Sequence, residues 1–280
     1  MRSLNSLSSV ESLFKSAFSV DDETKSEVFE RNCSASQPLD SVDLSPSRKA
    51  AAPAPSRVLH WLMALFYPLG RYFVLPIYFK RIEVVGREHL PSSGPVILAP
   101  THRSRWDAMT LPYAAGHDIT GRHLRFMVSA NEVTGLQGWF IRRMGGFPVN
   151  TDRPAIASLR HGVNLLESGE TLVIFPEGNI YRETHVQALK PGLARLAVQA
   201  ETSRTELGIQ VVPISIYYNS PLVPWRSCVR VVIGAPLHVP DYCQGSPKQN
   251  AKRLTADLQT AMETLALENT ENSSHTKEVS

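Results

Sequence analysis

Residues 96–109 read VILAPTHRSRWDAM, and this stretch decides how the rest of the chain is interpreted. Its first four residues, Val96–Ala99, form a short apolar run that predicts a buried strand, and Pro100 follows directly. A polar turn comes next, and apolar residues then return at helical spacing. The block therefore predicts a strand, a tight turn and a helix, which is the repeating unit of α/β proteins with parallel sheets.

The polar turn holds His102 and Asp107, which lie five residues apart. Five residues of one regular helix turn through about 500°, so the two side chains would diverge on a helix. They meet only if His102 lies in the turn and Asp107 in the first helical turn, with Ser104 as a suitable N-cap. An Asp beside an imidazole orients the ring and leaves its second nitrogen free to take a proton from a hydroxyl. His102 and Asp107 are therefore candidate catalytic residues; the alternative is a surface His with an unrelated capping Asp.

A second block, LVIFPEGNIYR, occupies residues 172–182. A predicted strand, 171–175, runs into Pro176, Glu177 and Gly178. A carboxylate and a flexible Gly at the carboxyl end of a parallel strand lie where α/β sheets build their sites. The alternative interpretation is an ordinary turn between a strand and a loop.

Strand-like and helix-like segments alternate from about residue 82 onward. Strands are predicted at 96–99, 126–129, 147–150, 171–175, 211–217 and 229–233, and helices at 153–168, 191–202 and 247–268. Gly169 is a predicted C-cap, and Pro213 predicts an edge position or a bulge for its strand. We therefore expect an α/β fold with a mostly parallel central sheet flanked by helices.

The most apolar stretch, residues 58–79, precedes this domain. Because it contains Arg71, Pro68 and Pro76, it predicts a broken helix or a helical hairpin in the membrane interface more than a spanning helix. An amphipathic core helix is the alternative. The predicted organisation is a weakly structured tail at 1–56, a membrane-contacting segment at 57–81, the main domain at 82–268 and a disordered tail at 269–280. The Ser-rich N-terminus lacks a secretory h-region but leaves a transit peptide open.

The net charge of +3 conceals an uneven distribution. Both ends are acidic, whereas residues 51–260 carry a net charge of about +8, which favours an anionic partner such as a phosphorylated substrate or a membrane surface. A nucleic acid would also be anionic, but no binding motif for one is present. The three cysteines are far apart, which argues against a disulfide framework and a zinc site and favours a reducing environment.

Four blocks in this order resemble the glycerolipid acyltransferase family. They are His102–Asp107 of the HxxxxD motif, Gly145–Asn150 followed by Arg153, Phe175–Gly178 of the FPEG motif, and Val212–Ile214. Lys190-Pro191-Gly192 also resembles the Lys-x-Gly that often follows the third block. Thr101, Thr151 and Asn179 depart from the residues that many members carry at these places.

The resemblance implies transfer of a fatty acyl group from acyl-CoA or acyl carrier protein to a lysophospholipid or glycerol-phosphate acceptor. The expected product is phosphatidate, made from 1-acylglycerol-3-phosphate in phospholipid biosynthesis. His102 would be the general base and Asp107 its orienting partner, with no cofactor and no metal. Substrate binding is expected from Ser104, Arg153, Glu177, Gly178, Arg182 and Lys190. The enzyme is expected at a membrane, on its cytoplasmic face. A different lipid acceptor, or a non-catalytic lipid-binding protein with this fold, are the alternatives.

Overall fold

The computed structural model describes residues 60–130, 133, 135–149, 156–204 and 206–278. These residues all belong to one compact unit, Ala51–Ser280. The predicted tail at 1–56 lies outside the described residues, and so does Arg153.

The strands and helices alternate along the chain as the sequence predicted. The strands are β1 (Arg81–Val85), β2 (Val96–Pro100), β3 (Leu124–Ser129), β4 (Phe147–Val149), β5 (Thr171–Val173), β6 (Gln210–Tyr218), β7 (Cys228–Ile233) and β8 (Leu237–His238). The helices are α1 (His60–Leu69), α2 (Leu75–Tyr78), α3 (Asp107–Ala115), α4 (His117–Thr120), α5 (Gly135–Arg143), α6 (Ile156–Glu167), α7 (Gly192–Ser203) and α8 (Pro247–Glu278). A π-helical turn, Gly70–Val74, joins α1 to α2, and short 3-10 turns occur at Arg87–His89 and Val239–Tyr242.

The strands form one mostly parallel sheet in the order β1-β7-β6-β2-β5-β3-β4. Its centre, from β6 through β2, β5 and β3 to β4, is parallel throughout, whereas β7 and β8 pair with β6 in the antiparallel sense. Strand β2 lies between β5 and β6. From β2 the chain continues to β3, toward the β4 edge of the sheet, whereas from β5 it continues to β6, toward the β1 edge. This reversal is where open α/β sheets form a crevice at their carboxyl edge.

Helices cover both faces of the sheet, which explains why β2 is apolar at every position. Ile97 and Ala99 face a core formed with α6, α7 and α8, whereas Val96 and Leu98 face a second core formed with α2 and α3. A strand that is buried on both faces reads as a continuous apolar run. The expected fold class is therefore confirmed.

Strand β6 corrects the edge position that Pro213 predicted. It is an internal strand, and its register places Ala99 of β2 beside Pro213. On its other side, β6 pairs with β8 at Gln210–Val211 and with β7 from Ile214 onward. Pro213 therefore falls where the neighbouring strand changes, at a point where no ladder hydrogen bond needs its missing N–H. Its carbonyl accepts a bond from Gly234 N–H at 2.9 Å.

Helix α6 ends where the sequence predicted, whereas helix α8 does not. Gly169 follows α6 with φ +74°, and its N–H bonds to the Leu166 carbonyl, so the predicted C-cap is confirmed. Helix α8, by contrast, continues to Glu278 instead of ending near residue 268.

The apolar segment forms one helical run from α1 through the π-helical turn to α2, and not a hairpin, within the described residues. Pro76 is the second residue of α2, which directly follows the π-helical turn. Arg71, the charged residue in the middle, turns back to the protein, where it donates to the Tyr113 carbonyl at 2.9 Å and lies 3.6 Å from Asp118.

One face of this segment packs in the core, and the other face is apolar and exposed. Leu62, Met63, Leu75 and Phe79 are buried. The exposed side chains are 43–65% accessible and recur at helical spacing: Trp61, Leu65, Leu69, Tyr72, Phe73 and Ile77. No helix of the described segments has both the length and the apolar character needed to cross a bilayer.

Candidate active site

Two predicted motifs meet at the carboxyl edge of the sheet. Thr101 and His102 directly follow β2, and Phe175 and Glu177 follow the neighbouring strand β5. Tyr218 is the last residue of β6, on the other side of β2. The arrangement brings together residues that are separated by more than 110 positions in the chain.

The Asp107 carboxylate accepts four hydrogen bonds. It is fully buried, and its Oδ2 accepts hydrogen bonds from His102 Nδ1 at 2.8 Å and from the backbone N–H groups of Arg103 and Ser104 at 2.7 and 2.9 Å. Its Oδ1 accepts the Tyr218 hydroxyl at 2.8 Å. Asp107 is the first residue of α3, so the predicted geometry, with His102 in the turn and Asp107 in the helix, is confirmed.

The His102 ring is oriented by contacts on two sides. Because a carboxylate only accepts, Nδ1 carries the proton in its bond to Asp107, and Nε2 is the acceptor nitrogen. The ring stacks on Phe175 with centroids 4.0 Å apart. No residue of the described segments donates to Nε2, and the side chain is 20% exposed. The arrangement presents one basic nitrogen at the surface of the site.

Glu177, which the sequence assigned to substrate binding, is instead enclosed by the protein. Its side chain is fully buried, and Arg103 donates to both of its oxygens, at 2.8 and 3.1 Å. The backbone N–H groups of His102 and Gln187 complete the shell at 3.0 and 2.8 Å. Because a buried ion pair is stable only when its remaining bonds are satisfied, this network fixes the backbone of the His102 turn against the loop after β5.

The loop between β5 and α7 contains three more of the predicted site residues, Gly178, Arg182 and Lys190. It closes on itself through Lys190 N–H, which donates to the Pro176 carbonyl at 2.8 Å, and it holds the His102 carbonyl through Tyr181 N–H at 2.8 Å. Arg182 is exposed beside Tyr181. Gly178 has φ +77°, and a Cβ at this position would lie 2.6–2.7 Å from the end of the Lys190 side chain. The positive φ favours glycine, and a larger residue would require the end of the Lys190 side chain to move.

Of the remaining predicted site residues, Ser104 is described and Arg153 is not. The Ser104 hydroxyl accepts the Trp106 N–H at 3.3 Å. The N-cap position of α3 is Trp106 and has no side-chain cap bond, so the prediction of Ser104 as the N-cap is wrong. Arg153 lies outside the described residues. Among the residues that the structure describes, no cluster of three or more His, Cys, Asp or Glu is suited to a metal ion.

Three supporting residues escaped the sequence interpretation: Arg103, Thr101 and Tyr218. Nothing in the local pattern separates buried Arg103 from Arg105, since the pairing partner of Arg103 is 74 residues away. Thr101 is buried, and its hydroxyl accepts Ile216 N–H at 2.9 Å, which ties the turn to β6. Tyr218 stands at the end of an apolar strand, and only its partner Asp107 reveals its role.

Known proteins resemble this chain in sequence and in fold. Residues 81–217 match the family model described as Acyltransferase. The chain is 28% identical over 200 residues to the chloroplastic 1-acyl-sn-glycerol-3-phosphate acyltransferase of Arabidopsis thaliana, an alignment that covers 64% of this chain and 52% of that protein. It is 25% identical over 182 residues to the 1-acyl-sn-glycerol-3-phosphate acyltransferase of Bacillus subtilis, covering 63% of this chain and 84% of that protein. The chain thus spans about half the length of the first relative.

The fold has a counterpart among solved structures. The crystal structure of the 1-acyl-sn-glycerophosphate (LPA) acyltransferase PlsC from Thermotoga maritima superposes with a TM-score of 0.55 and 20% identity. The match covers 74% of this chain and 80% of that chain. At this identity the likeness shows the fold.

The Tyr218–Asp107 bond makes stability depend on pH at the alkaline end. Burial, and then the neighbouring Asp107 charge, raise the pKa of Tyr218 well above its usual value of 10.0. The folded protein therefore keeps this proton at a pH where the unfolded chain releases it. The stabilisation is complete below about pH 10 and is lost as the pH rises further, with a slope of at most about 1.4 kcal/mol per pH unit.

We expect Tyr218→Phe to lower the free energy of unfolding at pH 8 by about 1–3 kcal/mol, since Asp107 loses a donor. Above about pH 10 the variant should lose stability less steeply than the native chain. Urea unfolding at pH 8, 10 and 11 measures both effects, with Tyr217→Phe, at the neighbouring position of β6, as the matched control. Tyr67 and Tyr242, whose pKa values are raised to about 12, are common to all three proteins. Equal alkaline slopes for the native chain and Tyr218→Phe would contradict this assignment.

Proposed function

We propose that the protein, in which residues 81–217 match the family model described as Acyltransferase, transfers a fatty acyl group from a thioester to the free hydroxyl of 1-acylglycerol-3-phosphate, giving phosphatidate. The observation that carries this proposal is the buried Asp107 beside His102, with Nε2 facing outward. A protein that only bound lipid would have no use for an oriented base. The names of the relatives support this acceptor, and acyl-CoA and acyl carrier protein are both retained as donors.

The reaction needs one base and no nucleophile from the protein. His102 Nε2 takes the proton of the acceptor hydroxyl while the oxygen attacks the thioester carbonyl, and Asp107 stabilises the imidazolium. The tetrahedral intermediate then collapses, the C–S bond breaks, and the imidazolium returns the proton to the leaving thiolate. Burial raises the pKa of the Cys243 thiol, which disfavours it as a nucleophile.

The phosphate of the acceptor requires cationic partners near His102. Arg153 is proposed from its place in the family blocks, and Arg suits bidentate phosphate contacts. Lys190 is supported by its position over Gly178, and Arg182 by its place next to Tyr181, which holds the His102 carbonyl. Ser104 completes the set from the turn. Glu177 has a positioning role in this scheme, because its carboxylate is buried and engaged.

The acceptor is a lipid, so the site must work at a membrane surface. The exposed face of the segment 60–79 supports this requirement, because its six large apolar side chains are 43–65% exposed. Aromatic side chains with a polar edge, such as Trp61 and Tyr72, favour the headgroup region. Lys80 and Arg81 follow directly and suit anionic lipids. We place the enzyme on the cytoplasmic face, where thioester donors are found.

His102→Ala removes the base and should lower acyl transfer by at least about 10²- to 10⁴-fold while the chain stays folded. Release of free thiol from acyl-CoA, with lysophosphatidate in mixed micelles, measures the rate, and acyl carrier protein replaces CoA in a parallel assay. His238→Ala, an exposed His of β8, is the matched control. A folded His102→Ala variant with native activity would exclude this mechanism.

Gly178→Ala and Gly169→Ala separate the contact with Lys190 from backbone strain. Both positions have similar positive φ, +77° and +74°, but only at 178 does a new Cβ meet a side chain. Each variant should lose about 1 kcal/mol of stability. Gly178→Ala alone should raise the KM for the phosphorylated acceptor by about tenfold or more, because Lys190 is displaced from a charged hydrogen bond. Equal KM values for the two variants would show that Lys190 does not bind the acceptor.

The membrane face is tested with Leu65→Asp and Phe73→Asp. Each variant places a charge among the exposed apolar side chains of the segment 60–79, which we call the exposed stripe. Partition into phosphatidylcholine–phosphatidylglycerol vesicles, measured by co-sedimentation, should weaken by at least about tenfold for each variant. Leu267→Asp, at an exposed Leu of α8, is the control and should bind as the native chain does. Unchanged partition of both stripe variants would rule out this face as the membrane contact.

A further inference from the structure

The loop between β6 and β7, Asn219–Ser227, presents a second apolar surface outside the segment 60–79. Its sequence is NSPLVPWRS. Leu222 is 76% exposed, more than any other large apolar side chain in the part of the chain that the structure describes, and Trp225 is 47% exposed. Single exposed apolar residues are common on protein surfaces. This loop differs from them in how its backbone is held and in the elements that adjoin it.

The loop is held in a defined and costly conformation. Val223 and Arg226 have φ values of +47° and +67°, and such a value is a genuine outlier for a β-branched residue. The Val223 side chain is buried in the core, and its carbonyl accepts the Tyr78 hydroxyl at 2.7 Å. Pro221 and Pro224 flank Leu222 and Val223 and restrict the backbone further. Leu222 is thus held outward by buried neighbours, a kind of strain that collects at functional sites.

The loop adjoins the end of α2 directly. The rings of Trp225 and Tyr78 meet edge to face at 5.5 Å, and Arg226 N–H donates to the Tyr78 carbonyl at 2.8 Å. Lys80 N–H donates to the Ser227 carbonyl at 2.9 Å. Ile77, beside Tyr78, is the last member of the exposed stripe. The apolar surface of the segment therefore continues through Tyr78 onto the loop.

The same contact leads to the catalytic turn. On its other side, Tyr78 packs on Trp106 with ring centroids 4.0 Å apart. Trp106 lies between His102 and Asp107 in the sequence and is the N-cap position of α3. Three aromatic rings, those of Trp225, Tyr78 and Trp106, thus connect the tip of the loop with the turn that carries the base.

We propose that the loop Asn219–Ser227 is a second lipid-contacting element, which places Leu222 and Trp225 in the membrane interface beside the catalytic turn. This inference rests on the proposed function, since it requires the segment 60–79 to contact the same bilayer. Trp is the side chain that favours the headgroup boundary. The exposed cations are Arg226 within the loop and Lys80 beside it, and both suit anionic lipid headgroups. The loop would fix the distance between the bilayer and His102, and so deliver the lipid acceptor.

The test compares full-length native protein with Leu222→Asp and the conservative Leu222→Phe. Leu222→Asp should lower partition into phosphatidylcholine–phosphatidylglycerol vesicles, and transfer to lysophosphatidate embedded in them, by about tenfold. Transfer to a short-chain lysophosphatidate below its micelle concentration should stay within about twofold of native. Leu222→Phe should keep both activities, and Leu267→Asp is the matched control.

A label reports insertion independently of these rates. An environment-sensitive fluorophore on Leu222→Cys should shift to shorter wavelength with vesicles, and one on Glu263→Cys of α8 should not. Native vesicle binding by Leu222→Asp, or an unshifted label at 222 on a vesicle-bound protein, would overturn the inference and leave the proposed function intact. Selective binding of acyl carrier protein by the loop, with no label shift on vesicles, would also overturn it. A native chain that neither binds vesicles nor transfers acyl groups would instead refute the proposed function.

Discussion

The rest of the site depends on the hydrogen bonds that the buried carboxylate of Asp107 accepts. Removing a charged group from water is costly, and here the cost is offset by four donors, which come from the turn after β2 and from the end of β6. Two of those donors are the N–H groups of Arg103 and Ser104, so the bonds that satisfy Asp107 also fold the turn that carries His102. The base and its support are thus built by one group.

A second layer of contacts holds this turn in the protein and connects it to the surface. Glu177 joins the loop after β5 to Arg103, and Tyr78 packs on Trp106 from the apolar segment. The turn that carries His102 is therefore held by the loop after β5 on one side and by the apolar segment on the other.

The sequence predicted what local spacing determines and missed what distant partners determine. The helix repeat gave the condition under which His102 and Asp107 pair, with His102 in the turn and Asp107 in the helix, and left an unpaired His as the alternative. The C-cap at Gly169 follows from the backbone freedom of glycine. Pro213 predicted an edge position or a bulge, because the sequence does not show that the strand paired with β6 changes from β8 to β7 at this point. Arg103 and Tyr218 could not be found, since their partners lie 74 and 111 positions away in the chain.

The tautomer of His102 is a direct consequence of its bond to Asp107 and can be measured. Nitrogen-15 NMR of the full-length protein at neutral pH, assigned by loss of the signal in His102→Gln, distinguishes a protonated ring nitrogen from an acceptor nitrogen. The bond to Asp107 predicts a proton on Nδ1 and a bare Nε2, ready to take the proton of a hydroxyl. A proton resident on Nε2 would contradict the account, because the outward nitrogen could then not act as the base.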